Sequence, residues 1–151
     1  LYLGDEIGTL NDYGYREDPA KARDSRWVHR PFADRERMAR RHDPATVAAR
    51  IYGGLRRLIA LRRECPAFGG GEMLVLDSGN PHVFGYVRQN DGARVLALAN
   101  FSERDQRIAA NALRLHGLSY SFTDLVTGEP VSLENGLVLG PYRFVWLTAV
   151  G

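Results

Sequence analysis

Apolar residues recur at two different periods along the chain. In "PATVAARIYGGLRRLIALRREC", residues 44 to 65, Val47, Ile51, Leu55, Leu58 and Ile59 fall at helical spacing. Arg50, Arg56, Arg57, Arg62 and Arg63 lie largely on other faces, so the pattern predicts one amphipathic helix. Asp43 suits an N-cap and Pro44 the first helical position, while Cys65-Pro66 stops the run because proline disfavours helix in the residue before it. Gly53-Gly54 in mid-helix costs roughly 1 kcal/mol per glycine relative to alanine, which predicts close packing against a neighbouring backbone. The arginines read as a solvated face, with an anion-binding helix as the alternative.

From Gly69 onward the period shortens to that of strands. "EMLVLD", "HVFGYVRQ", "ARVLALANF", "QRIAA", "YSFTDL", "EPVSLE", "GLVLG" and "YRFVWLTAV" are short runs rich in β-branched and aromatic residues. Turn signals separate them: Ser78-Gly79-Asn80-Pro81, Asn90-Asp91-Gly92, Thr127-Gly128 and Asn135-Gly136. Asn90-Asp91-Gly92 is a strong hairpin signal, and three residues there call for a bulge. About eight such strands with no helix between most of them predict an antiparallel sandwich. Glycines 69 to 71 follow a helix instead of opening one, so they read as a linker and not a phosphate loop.

Residues 1 to 43 have neither period. They hold a short apolar start, "LYLGDEIG", and then about 35 residues of polar, aromatic and charged loop, a length that is usually functional when it occurs. A lone strand, a long loop and an amphipathic helix cannot enclose a core, because the strand wants neighbours on both sides and the helix wants a sheet to cover. The expectation is the last β/α unit of a TIM-type barrel over residues 1–66, followed over residues 67–151 by an all-β antiparallel Greek-key sandwich. A first strand without an initiating methionine reads as the continuation of a longer barrel.

Composition narrows the function. At 44% hydrophobic and 25% charged residues the chain is globular, and its formal charge of +2 is too balanced to suggest nucleic acid or a membrane surface. No apolar run is long enough to span a bilayer, and residues 1 to 10 lack the pattern of a signal peptide, so a cytoplasmic location is expected. Cys65 is the only cysteine and reads as a small buried hydrophobe. The four histidines (His29, His42, His82 and His116) show no metal-ligand spacing, and no cofactor is expected.

Candidate chemistry lies in the first 31 residues. Asp5 and Glu6 are adjacent, and neighbours on a strand point to opposite sides, so they cannot serve together as acid and nucleophile. Asp5 at the end of a barrel strand could line a site or only brace the loop. In "DSRWVHRP", Arg26 could hold a carboxylate bidentately while Trp27 offers a flat apolar face; the alternative is an ion pair closing a surface loop. Asp24, Trp27 and His29 are candidate loop supports. Trp146, Tyr142 and Phe144 alternate on the last strand and read as core or domain interface. No self-sufficient catalytic centre is visible.

"LYLGDEIG" resembles the eighth barrel strand of the α-amylase superfamily, and "TLNDYGYREDPAKARDSRWVHRP" resembles the loop after that strand in amylosucrases. "RRHDPATVAARIYGGLRRLIALRRECPAF" is similar to their last barrel helix, and "LVLGPYRFVWL" to the closing strand of their C-terminal domain. The resemblance implies the C-terminal part of a glycosyltransferase that moves glucosyl units from sucrose to an α-1,4-glucan by double displacement. It implies catalytic carboxylates on earlier strands, a missing N-terminal barrel as partner, and an inactive isolated chain. It assigns Arg26 to the glucosyl-binding subsite, Arg26 meeting an aspartate from elsewhere in the barrel; Asp5 is the second candidate substrate-binding residue, from its place at the end of the strand. Rival readings are a sucrose hydrolase, a sucrose phosphorylase, a trehalose synthase-like isomerase, or a non-catalytic carbohydrate-binding sandwich.

Overall fold

The computed structural model describes residues 3–114 and 120–149, and its chain divides into two compact units, Leu1–Ile59 and Ala60–Gly151.

In the first unit the expected opening strand is not formed by the described residues. Leu1 and Tyr2 lie outside them; Leu3 and Gly4 form a turn and Asp5–Ile7 a 3₁₀ helix. Gly4 has φ 103°, a backbone state suited to glycine, and the Glu6 carboxylate accepts its amide at 2.8 Å. The long loop is also more ordered than its composition suggests. It carries 3₁₀ turns at Gly14–Glu17 and Ser25–His29 and helix α1 at Arg35–Ala39. Aspartates begin these turns by accepting amides two or three residues on, as Asp24 does from Arg26 and Asp34 from Arg37.

Helix α2 runs Val47–Glu64 and stops before Cys65-Pro66 as expected. Its start differs. Thr46, not Asp43, is the cap: the Thr46 hydroxyl accepts the Ala49 amide at 3.1 Å, and Asp43 instead accepts Ala45 in a turn one step earlier. Gly53 and Gly54 do not meet a neighbouring backbone either, since a Cβ at either position would find nothing within 4 Å. Without that contact Gly54 only weakens the helix. Gly54→Ala is therefore expected to stabilise α2 by about 0.5–1 kcal/mol, read as a higher urea midpoint with an unchanged slope. Among the described residues only Ile7, Tyr15 and Ala48 form the buried apolar set of this unit, while Val47 and Ile59 on the α2 stripe stand exposed.

In the second unit every expected strand is present: β1 Glu72–Leu76, β2 Val83–Asn90, β3 Ala93–Asn100, β4 Gln106–Ile108, β5 Ser121–Asp124, β6 Pro130–Ser132, β7 Leu137–Leu139 and β8 Phe144–Ala149. A short helix α3, Ala110–Arg114, follows β4. All pairings are antiparallel. The large sheet has the order β1-β2-β3-β8-β5-β6, and β4 pairs β7 in a second, two-stranded sheet. The chain leaves the large sheet after β3 and closes with β8 between β3 and β5. Leu96, Leu98, Phe122 and Leu147 of the large sheet pack with Ile108 of β4 and Leu139 of β7 in one core.

The β2–β3 hairpin needs no bulge. Asn90 pairs with Ala93, and Asp91 (φ 48°) and Gly92 (φ 79°) make a two-residue turn of the mirror-image type that suits strand twist. Residues 69–71 are docked, not a loose linker. The Gly70 carbonyl accepts Arg88 Nη2, and Gly71 (φ 70°) lies so close to Gln89 that a Cβ would sit 2.1 Å from its carbonyl oxygen. Preceding them, the turn Pro66–Phe68 seals one part of the outer sheet face, with Phe68 4.8 Å from Trp146 and Val95 buried beneath. Trp146 and Phe144 share that face, whereas Tyr142 precedes β8 with φ 53° and is exposed. Cys65 is a half-buried free thiol beside this cluster.

Candidate functional site

The segment "DSRWVH" folds around one carboxylate. Asp24 caps the Ser25–His29 turn through Oδ1, which accepts the Arg26 amide at 3.0 Å. The same carboxylate grips the Arg26 guanidinium: Nε donates to Oδ1 at 2.8 Å and Nη2 to Oδ2 at 2.8 Å. Those bonds, the side-chain one first and the backbone one second, hold the Asp24 carboxyl down at about 2. The ionised pair thus contributes above the ordinary carboxylate range and is lost as pH falls through about 2. Arg26 remains 73% exposed, so the pair orients the guanidinium without burying it. Within this chain Arg26 is paired with its near neighbour Asp24.

The turn is tied to the preceding loop at two points. Asp12 donates its amide to the Val28 carbonyl at 2.9 Å, and His29 Nδ1 lies 3.2 Å from Asn11 Oδ1. Trp27 is half-buried, its ring faced by Lys21 Nζ at 5.3 Å and by the Arg30 guanidinium at 5.8 Å. Trp27 therefore serves the loop as a cation-stacked post and does not present a bare face.

These ties bring Asp5, Arg26 and His29 together around a cleft of about 480 Å³, joined by Asn11 and Arg30. Asp24 and Trp27 support it from outside. Asn11 and Arg30 were not singled out in the sequence; their signal is the turn chemistry of "LNDYG" and the basic pair in "HRP". Arg37 was also missed: it donates to the Ile7 carbonyl at 3.4 Å and to the Gly8 carbonyl, pinning the opening turn to α1.

One carboxylate, two guanidiniums and an imidazole can hold a polyhydroxylated ligand. They cannot perform retaining glycoside chemistry alone, which needs two facing carboxyl groups about 5 Å apart; among the described lining residues Asp5 is the one acid. Among the described residues no group of three His, Cys, Asp or Glu side chains is placed to hold a metal ion, and His116 lies outside them. No helix of the described residues is long and apolar enough to cross a membrane.

Residues 73–146 match the family model "Maltogenic Amylase, C-terminal domain". The maltogenic amylase from S. marinus superposes with a TM-score of 0.59 at 19% identity, over 99% of this chain and 17% of that one. AmyP in complex with maltotriose gives 0.59 at 17% identity, over 70% of this chain and 22% of that one. The β domain is thus similar in sequence to the C-terminal domain of maltogenic amylases and shares its fold. Among curated proteins, glucosylglycerate phosphorylase of Escherichia coli (strain K12) is 30% identical over 149 residues, 97% of this chain and 25% of that protein. Trehalose synthase of Thermus thermophilus is 33% identical over 93 residues, 59% of this chain and 9% of that protein. The chain spans about a quarter or less of the length of these curated relatives.

Proposed function

We propose that the chain is the C-terminal part of a retaining α-glucosyl-transferring enzyme of the α-amylase superfamily, of amylosucrase type, with sucrose as donor and an α-1,4-glucan as acceptor. The observation behind this reading is the partly covered stripe of α2: Val47 and Ile59 are exposed, Ile51, Leu55 and Leu58 are half-buried, and only Ala48 of that helix is buried, as expected of a barrel helix awaiting its sheet. Resemblance of the loop around "DSRW" supports the sucrose reading. In this reading Asp24 orients Arg26 through Nε and Nη2, and Nη1 reaches the glucosyl unit. The covalent steps belong to carboxylates of the missing barrel: one displaces fructose from the anomeric carbon, and the acceptor hydroxyl then displaces that carboxylate.

A phosphorylase is the second reading, because the likeness to the glucosylglycerate phosphorylase runs through loop, helix and β domain alike. Supplying the full-length enzyme with sucrose, with and without phosphate, separates the two. Fructose and α-glucan in both conditions support glucan synthesis; glucose 1-phosphate formed only with phosphate supports phosphorolysis and overturns it. Arg26→Ala in that enzyme is expected to lower kcat/KM on sucrose by about ten- to a hundredfold, the worth of one charge-assisted hydrogen bond, with Tm unchanged because the side chain is exposed. An unaltered kcat/KM would remove Arg26 from the subsite.

A further inference from the structure

The arginine face of α2 forms a second concavity, separate from the Arg26 cleft. Two rows run along the helix at i, i+3, i+7 spacing: Arg50, Gly53 and Arg57, and beside them Ala49, Tyr52 and Arg56. The segment before the helix adds Arg41 and His42 across from them, bordering an open surface hollow of about 580 Å³. None of the described lining residues is acidic. The neighbouring Asp43 has its carboxylate 3.5 Å from Arg40 Nη2, on a residue that does not line the hollow. The guanidiniums of Arg41, Arg50 and Arg56 thus line one hollow that has no acidic residue among its described lining.

Tyr52 organises them. Its half-buried ring has the Arg41 and Arg56 guanidiniums 5.8 Å from its centroid, and His42 edge-on at 5.4 Å. Arg41 Nη1 is further fixed by donation to the Met38 carbonyl at 2.7 Å. Stacking and this bond settle side-chain rotamers in advance, which lowers the entropy lost when an anion is gripped. Gly53 has no side chain, so the floor between Arg50 and Arg57 stays open; a Cβ there would have nothing within 4 Å.

We propose that this hollow on α2 is a binding site for a phosphate monoester or inorganic phosphate. Planar guanidinium forks match phosphate oxygens in pairs. The hollow has the size of a small sugar ester, and the net charge of +2 gives the chain little long-range pull on a polyanion. A small dianion is thus favoured over nucleic acid or an anionic bilayer.

Calorimetric titration of the full-length protein at constant ionic strength, with inorganic phosphate and separately with glucose 6-phosphate, tests the assignment. Saturable binding is expected for at least one of them. A tighter glucose 6-phosphate identifies a sugar ester as the ligand, and equal affinities identify the free anion. Arg50→Gln/Arg56→Gln, with glutamine keeping helix propensity, is expected to weaken binding about tenfold or more while turnover and helical circular dichroism stay unchanged. Arg50→Lys/Arg56→Lys should restore part of the loss, since charge returns without the fork. Binding that is unsaturable, that is equally strong in the Gln variant, or that appears only as adhesion to anionic phospholipid vesicles would overturn the proposal.

Discussion

Leu147→Ala is expected to lower the stability of the β domain by about 2–5 kcal/mol, the range for emptying a fully buried leucine site. Leu147 sits on β8, the strand that joins the two halves of the large sheet, opposite Leu96 on β3 and Asp124 on β5. It is fully buried in the core that the large sheet shares with Ile108 and Leu139, so neither sheet can close over the vacated volume without moving β8. At roughly 4–8 °C per kcal/mol for a domain of this size, the midpoint should fall by about 8–40 °C. The chain has two tryptophans, Trp27 in the first unit and Trp146 next to Leu147 in sequence, so fluorescence in a Trp27→Phe background follows the β domain alone. Leu74→Ala is the control. That leucine lies on the edge strand β1 and is about half exposed, and its loss should cost less than about 0.5 kcal/mol. Equal destabilisation by the two substitutions would show that the core does not lie beneath β8.

Why the β domain was so readable follows from the same residues. Alternation is forced wherever one sheet face is buried: in β2, Val83, Gly85 and Val87 face the core while Phe84 and Tyr86 face outward, and a one-residue slip would expose the first set. Each strand therefore carries its own signature, and the turns between them carry glycine, asparagine or aspartate for local backbone reasons. The pairing order is not local. Nothing within "YRFVWLTAV" says that β8 inserts between β3 and β5 instead of adding at an edge; that is settled by which apolar sets complement each other in space.

The first unit reads less well for a different reason. Its local conformation rests on contacts between residues far apart in sequence, such as Arg37 on the Ile7 carbonyl. Periodicity located α2 to within a few residues, but the cap moved from Asp43 to Thr46 because two oxygens compete for nearby amides, and the threonine hydroxyl reaches Ala49 while Asp43 is taken by Ala45. "LYLGDEIG" has the composition of a buried strand, yet a strand needs partners for its amides. Gly4 through Gly8 instead close on themselves, Ile7 and Gly8 donating to the carbonyls of Gly4 and Asp5. The candidate site shows the same split. Asp24 and Arg26 meet as near neighbours, two residues apart, whereas bringing Asp5, Asn11 and His29 to one cleft depended on Arg37 and on the Asp12–Val28 bond, neither of which has a sequence signal.

Asn100→Asp should be the most informative single-atom change in the molecule. Asn100 ends β3, is buried, and works as a hub. Its Nδ2 donates to the carbonyls of Arg104 (2.7 Å), Leu139 (3.0 Å) and Gly140 (2.8 Å), and its Oδ1 accepts the Ser102 amide at 2.9 Å and hydroxyl at 2.8 Å. One amide thus ties the end of β3 to the loop after it and to the end of β7 in the other sheet. Removing it as Asn100→Ala leaves several buried groups unpaired and is expected to cost about 2–4 kcal/mol, nearly independent of pH. The aspartate keeps the shape but places an oxygen where Nδ2 stood, facing three carbonyl oxygens. As a carboxylate it is an uncompensated buried charge, and at neutral pH the loss should exceed that of the alanine variant, at about 3–5 kcal/mol. As a carboxylic acid it regains a donor. Burial and the carbonyls favour that protonated form, which raises the folded-state pKa above the unfolded value; the stability so gained is present at acid pH and is lost as pH rises through the raised pKa. The two variants should therefore change order: aspartate below alanine at neutral pH and above it near pH 4. A stability difference of constant sign across that range, followed by urea unfolding, would rule out the amide as the link between the two sheets.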